Sequence, residues 1–211
     1  MTLRQIIPLT FFCAILITLL IGQCFGATWA GGNGVEKNLD VSINLLQGSV
    51  EILHDDETRI ATLDDTLVRG EIVETGDDGY VRFTIGQYVT IGMAEQTTLT
   101  LKRITSDDLQ ILVTHGRIIV EQTGSAPVHI QTNFTDTTLE DGAITLVNYD
   151  FLETVMIAPY SSATASIKTS LGSTPLTSAF TIHETPEVTV ESSSPTFAFP
   201  FYDWYQLRSL E

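Results

Sequence analysis

From Gly48 onward, apolar and polar residues alternate with a period of two. Gly48-Ser49-Val50-Glu51-Ile52, Gly79-Tyr80-Val81-Arg82-Phe83, Gly116-Arg117-Ile118-Ile119-Val120 and Gly142-Ala143-Ile144-Thr145-Leu146 each begin with glycine. Each places apolar residues two and four positions later. Successive side chains of a strand point to opposite faces, so every run offers one apolar face to a core. The leading glycine suits a turn or bulge at the start of the strand. Acidic clusters separate the runs: Asp55-Asp56-Glu57, Asp64-Asp65, Gly76-Asp77-Asp78-Gly79, Asp107-Asp108 and Glu140-Asp141-Gly142. Asp and Gly are turn formers, and short strands punctuated this often predict an all-β fold. The expectation is a short-stranded β sandwich or a solenoid-like stack. Later strands are expected at Ala165–Thr169, Ala179–His183 and Glu187–Glu191.

The start of the chain has another pattern. Ile6 to Gly22 is uncharged, Arg4 precedes it, and no further charge appears before Glu36. A cleaved signal peptide needs roughly 7–15 apolar residues and a spanning helix about 20. This run lies between the two, so a signal peptide and a retained hydrophobic anchor helix both fit. Small residues suited to cleavage follow at Gly26, Ala27 and Ala30, while Gln23 before Cys24 departs from a lipid-attachment pattern. Either topology leaves Arg4 in the cytoplasm and everything after Gly31 outside. The expected organisation is therefore 1–30 as signal peptide or signal anchor, 31–160 as the β domain, and 161–211 as a Ser/Thr/Pro-rich extension. That extension has a linker near Ser192–Pro195.

Composition narrows the partners. Hydrophobic residues make up 43% and charged residues 17%, enough to bury a core. The net charge of −16 excludes nucleic acid, whose phosphates need Lys and Arg, and disfavours anionic lipid headgroups. Membrane contact is expected only through an uncleaved N-terminal segment. Cys13 and Cys24 both lie in the apolar start, so the exported body has neither a disulfide framework nor a thiolate metal site.

No catalytic, metal or cofactor site is expected. His54, His115, His129 and His183 lack a partner at zinc-ligand spacing. His54-Asp55-Asp56-Glu57 does not alternate oxygen ligands as a calcium loop does, and it reads as a solvated turn. His129, between Val128 and Ile130, projects from the strand face opposite theirs. The chain ends in an aromatic cluster: Phe197, Phe199, Phe201, Tyr202, Trp204 and Tyr205. These residues are the candidate partner-docking set, since aromatic anchors dominate interfaces. The competing reading is that they fold back onto the protein's own sheet and complete its core.

One stretch resembles a known family. Leu67-Val68-Arg69-Gly70-Glu71-Ile72-Val73-Glu74-Thr75-Gly76-Asp77-Asp78-Gly79-Tyr80-Val81-Arg82-Phe83-Thr84-Ile85-Gly86 is similar to the hallmark of FecR-like domains. That hallmark reads L-x-x-G-D-x-I-x-T-G-x-x-G-x-A-x-L-x-F-x-D-G-S. Val89–Leu101, Leu109–Val120, Val128–Thr132 and Asp141–Val147 resemble the family's later strands, so the resemblance spans about Gly48 to Pro159. Glu71 stands where the family has Asp, and Ile85-Gly86-Gln87 where it has Asp-Gly-Ser. Full-length members join a cytoplasmic sigma-factor-handling segment to one membrane helix and a periplasmic β domain. Here only Met1 to Gln5 could be cytoplasmic, so the resemblance implies a stand-alone exported FecR-like domain. The expected function is a non-enzymatic envelope protein that binds another envelope or surface protein, in signalling or scaffolding. A structural surface or matrix module is the alternative, and a carbohydrate-active β protein the third reading.

Overall fold

The computed structural model describes residues 38–149, 154–161, 164–184, 188–193 and 205. The N-terminal apolar segment lies outside them. All belong to one compact unit, Lys37–Glu211.

The described residues form seventeen strands, and the all-β reading holds. In chain order they are β1 (Val41–Gln47), β2 (Val50–His54), β3 (Glu57–Ile60), β4 (Thr66–Leu67), β5 (Ile72–Thr75), β6 (Tyr80–Ile85) and β7 (Val89–Met93). There follow β8 (Thr98–Ile104), β9 (Leu109–Gln122), β10 (Val128–Gln131), β11 (Asp136–Leu139) and β12 (Ile144–Tyr149). The last are β13 (Thr154–Pro159), β14 (Ala165–Thr169), β15 (Gly172–Pro175), β16 (Phe180–His183) and β17 (Thr189–Ser192).

Pairing sorts them into two sheets. The first runs β4-β1-β6-β7-β9-β12-β13-β16-β17. The second runs β3-β2-β5-β8-β9-β10-β11-β14-β15. All neighbours are antiparallel except β9 and β10. From β10 onward the chain visits the sheets two strands at a time, β10 and β11 in the second, β12 and β13 in the first, β14 and β15 in the second, β16 and β17 back in the first. The fold is thus a sandwich built by stacked alternation.

The core lies between the sheets. Val41, Ile43, Phe83 and Ile85 of the first meet Ile52, Val73, Leu99, Leu101 and Ile111 of the second in one buried cluster. These are the apolar positions of the two-residue period. Full burial of a side chain of this size contributes about 1.5–3 kcal/mol. A second, smaller cluster contains Ala94, Ile119, Leu146, Ala158, Ala179 and Tyr205.

The fourteen-residue strand β9 belongs to both sheets. Its first half pairs with β8 and β10, and its second half with β7 and β12. The change falls at Gly116, whose φ is +96°. The sequence pattern predicts a strand start there. The structure instead places Gly116 inside a strand, because its positive φ bends one continuous strand from sheet to sheet.

Candidate functional site

The family-like motif forms a brace at that bend. The Thr75 hydroxyl donates to the Ala94 carbonyl at 2.6 Å and accepts from the Thr97 N–H at 2.8 Å. The Thr97 hydroxyl in turn accepts from the Arg117 N–H at 3.0 Å. A Cβ at Gly116 would lie 2.3 Å from Thr97 Oγ1, so the backbone approach requires glycine. Glu71, where the family carries Asp, is buried and accepts from the Val68 N–H at 2.7 Å and from Arg59. Arg59 also pairs with Asp65 at 2.7 Å. Burial alone would raise the Asp65 carboxyl. Hydrogen bonds from Thr62 and the Arg59 charge outweigh it and hold the group below its ordinary value. The motif residues are therefore occupied in holding loops together.

The outer face of the first sheet is different in kind. Cross-strand register puts Arg82, Gly92, Ile119, Leu146 and Ala158 in one row across β6, β7, β9, β12 and β13. Ile118, Val120 and Val147 point to the sandwich core, so Ile119 and Leu146 point away from it. Gly92 contributes no side chain, which leaves a notch. Tyr205, from the far end of the chain, lies in it and is 2% exposed. Its hydroxyl donates to Glu121 Oε2 at 3.2 Å. Ala94, Ala158 and Ala179 line the seat, with Tyr80, Ile144 and Tyr160 packed around it.

A polar wall stands along one side of this trough. Arg117 pairs with Glu95, both only partly exposed. Glu95 accepts a hydrogen bond from Tyr80. That bond, then burial, then the Glu95 charge push the phenol above its ordinary value, against a smaller opposing effect of Arg117. Beside the wall a cleft of about 170 Å³ is lined by Glu95, Gln96, His115, Arg117, Asn148 and Tyr149. What the whole offers is contact: an apolar floor, a notch for one ring, and a carboxylate that accepts a phenol.

Of the sequence-selected docking residues, Phe197, Phe199, Phe201, Tyr202 and Trp204 lie outside the described residues. Tyr205 is seated on the chain's own sheet, which withdraws it from a partner in this state. The histidines do not converge. His129 lies 3.2 Å from Asp136 Oδ1 and hydrogen-bonds Thr138 on the second sheet. His183 meets Thr154, and His54 sits 3.6 Å from Asp55 at a turn where Asp55 and Asp56 have positive φ.

The sequence reading missed the trough itself. Its signal was present: Ile118-Ile119-Val120, Leu146-Val147 and Ile157-Ala158 break the alternation with consecutive apolar residues. Such runs mark strands covered on both faces.

No family profile matches the chain, and no curated protein matches it. Among solved structures, the chain is similar to two crystal structures of a "putative anti-sigma factor" from Parabacteroides distasonis, with TM-scores of 0.51 and 0.50. Identity is 12% in each, over 58% of this chain. The match spans 60% of the length of those proteins. The likeness is one of fold.

Proposed function

We propose that this chain is an exported FecR-like protein of the cell envelope that acts by binding another protein, in signalling or scaffolding, without a catalytic step of its own. The observation that carries this reading is the Leu67–Gly86 stretch. Its order resembles the FecR hallmark, and its Thr75 and Glu71 serve as structural braces in a fold shared with the anti-sigma factor candidate. The apolar N-terminal run with Arg4 before it supports export. The high negative charge supports a protein partner over nucleic acid or an anionic membrane.

The test has two arms. Fractionation and N-terminal sequencing of the protein from a Gram-negative host should find it outside the cytoplasm, with or without residues 1–30. A photocrosslinking residue at the exposed Tyr88 and at other surface positions should capture one discrete envelope protein. Retention in the cytoplasm, or the absence of any discrete adduct across the surface, overturns the proposal.

A further inference from the structure

The second sheet ends in β3, whose four residues are all exposed. Among the described residues only β2 pairs with it. We infer that this open edge binds an extended, lysine- or arginine-bearing segment of a partner protein, which joins the second sheet as a further strand. This rests on the reading of the chain as a contact protein and names the place and the chemistry of the contact.

The hairpin of β2 and β3 fixes which backbone groups face outward. Its two turn residues, Asp55 and Asp56, have positive φ, and the Ala61 N–H donates to the Val50 carbonyl at 2.9 Å. Hydrogen-bonded pairs alternate along an antiparallel ladder, so His54 with Glu57 and Ile52 with Arg59 exchange bonds. The N–H and carbonyl groups of Thr58 and Ile60 therefore point away from β2, spaced as an added strand requires. The usual protections of an edge are missing, since β3 has no proline, lysine or bulge. By contrast β15, at the opposite end of the sheet, carries Pro175, and β4 is two residues long.

The side chains select the kind of segment. Ile60 lies opposite Glu51, while Val50 and Ile52 point to the core, so Ile60 is on the outer face, where it is 66% exposed. Beside it a cleft of about 300 Å³ is lined by Leu53 and Ile72 together with His54, Asp55, Asp56 and Glu57. A side chain with an aliphatic stem and a cationic end matches that lining. The cation of β3 itself, Arg59, is taken by Asp65 and Glu71, and Arg69 donates to the Lys102 carbonyl. Glu51, Asp55, Asp56, Glu57 and Glu74 have no lysine or arginine partner among the described residues. These carboxylates, on a chain of net charge −16, oppose pairing of β3 with the β3 of a second copy and favour a basic partner.

The probe is a short synthetic peptide alternating valine with lysine, titrated against the full-length chain. It should bind, with an affinity that falls as salt is added, while the same peptide with glutamate for lysine should not. Thr58→Pro removes an outward N–H without taking a bond from β2, and should weaken binding at least about tenfold. The Thr58 and Ile60 amides should exchange with solvent more slowly once the peptide is bound. Failure of the lysine peptide to bind, equal binding of the glutamate peptide, or binding indifferent to Thr58→Pro overturns the inference. If Thr58→Pro fails to fold, Ile60→Lys, at an exposed position, takes its place with the same expectation. A dimer of the peptide-free chain that Thr58→Pro dissociates would also overturn it, since a second copy would then occupy the edge. None of these measurements depends on export or on capture of an envelope protein, so a failure here is separable from a failure of the proposed function.

Discussion

The ring of Tyr205 occupies the space that a side chain at residue 92 would need. A Cβ on Gly92 would lie 2.8 Å from Tyr205 Cδ2 and 3.0 Å from Ile119 Cγ2. The missing side chain and the seated ring are thus two parts of one contact, formed between residues more than a hundred positions apart. Gly92→Val should lower stability by about 1–3 kcal/mol, since overpacking forces the ring out. Tyr205→Ala should also be destabilising. The double variant should cost less than the sum, with a coupling of about 1 kcal/mol in urea unfolding, because each change already breaks the same contact. Additive costs would show that the two residues act separately.

The bend of β9 rests on Gly116. Its φ of +96° and a Cβ position 2.5 Å from Thr97 Cα leave no room for alanine. Strain of this kind costs about 1–3 kcal/mol before the clash is added. Gly116→Ala should therefore show a larger fall in melting temperature than alanine at Gly70. Gly70 has a similar positive φ but open space around its Cβ.

Thr75 ties the motif to the neighbouring loop through one donated and one accepted bond. Thr75→Val keeps the shape and leaves the Thr97 N–H and the Ala94 carbonyl unpaired. The expected cost is about 1–3 kcal/mol by denaturant titration. Thr75→Ser should restore most of it, which a purely steric role for the threonine would not allow.

Asp65 and Tyr80 set opposite pH limits. The folded Asp65 carboxyl titrates below its ordinary value of 3.8, so its contribution is complete above that value. It is lost as pH falls through the lower folded one. Tyr80 titrates above 10.0 when folded, so its contribution is complete below 10.0 and is lost as pH rises through the folded value. The stability difference between wild type and Asp65→Asn should shrink in acid. That between wild type and Tyr80→Phe should shrink in alkali. Differences that stay flat with pH would refute both assignments.

Much of the fold was legible because it is local. Val50, Ile52, Val81, Phe83, Ile118 and Val120 all lie in the core at the alternate positions the pattern predicts. The three later strands fall within two residues of their expected bounds where they are described. The turn glycines Gly48 and Gly142 have the positive φ expected at strand starts. Gly116 does not fit that rule. Alternation cannot tell a turn between two strands from a bend within one, since both ask for the same backbone angle. The docking reading of the tail was limited in a similar way. The cluster of aromatics is visible in the sequence, but its destination is not.

By itself, then, the order of residues determined that the chain forms short strands, where β2, β6, β12, β14, β16 and β17 lie to within about two residues, and the core-facing side of those behind Gly48 and Gly79, whereas Ile144 and Leu146 behind Gly142 turned out to face the outer trough. These follow from side-chain alternation and turn preference within a few neighbouring residues. Only the tertiary structure decided that β9 serves two sheets, that Thr75 braces the bend, and that the outer face at Ile119 and Leu146 is covered. The reason is separation along the chain. Tyr205 reaches Glu121 across 84 residues and Thr97 meets Arg117 across 20, so partners at such distances are chosen by the packing of the whole sandwich.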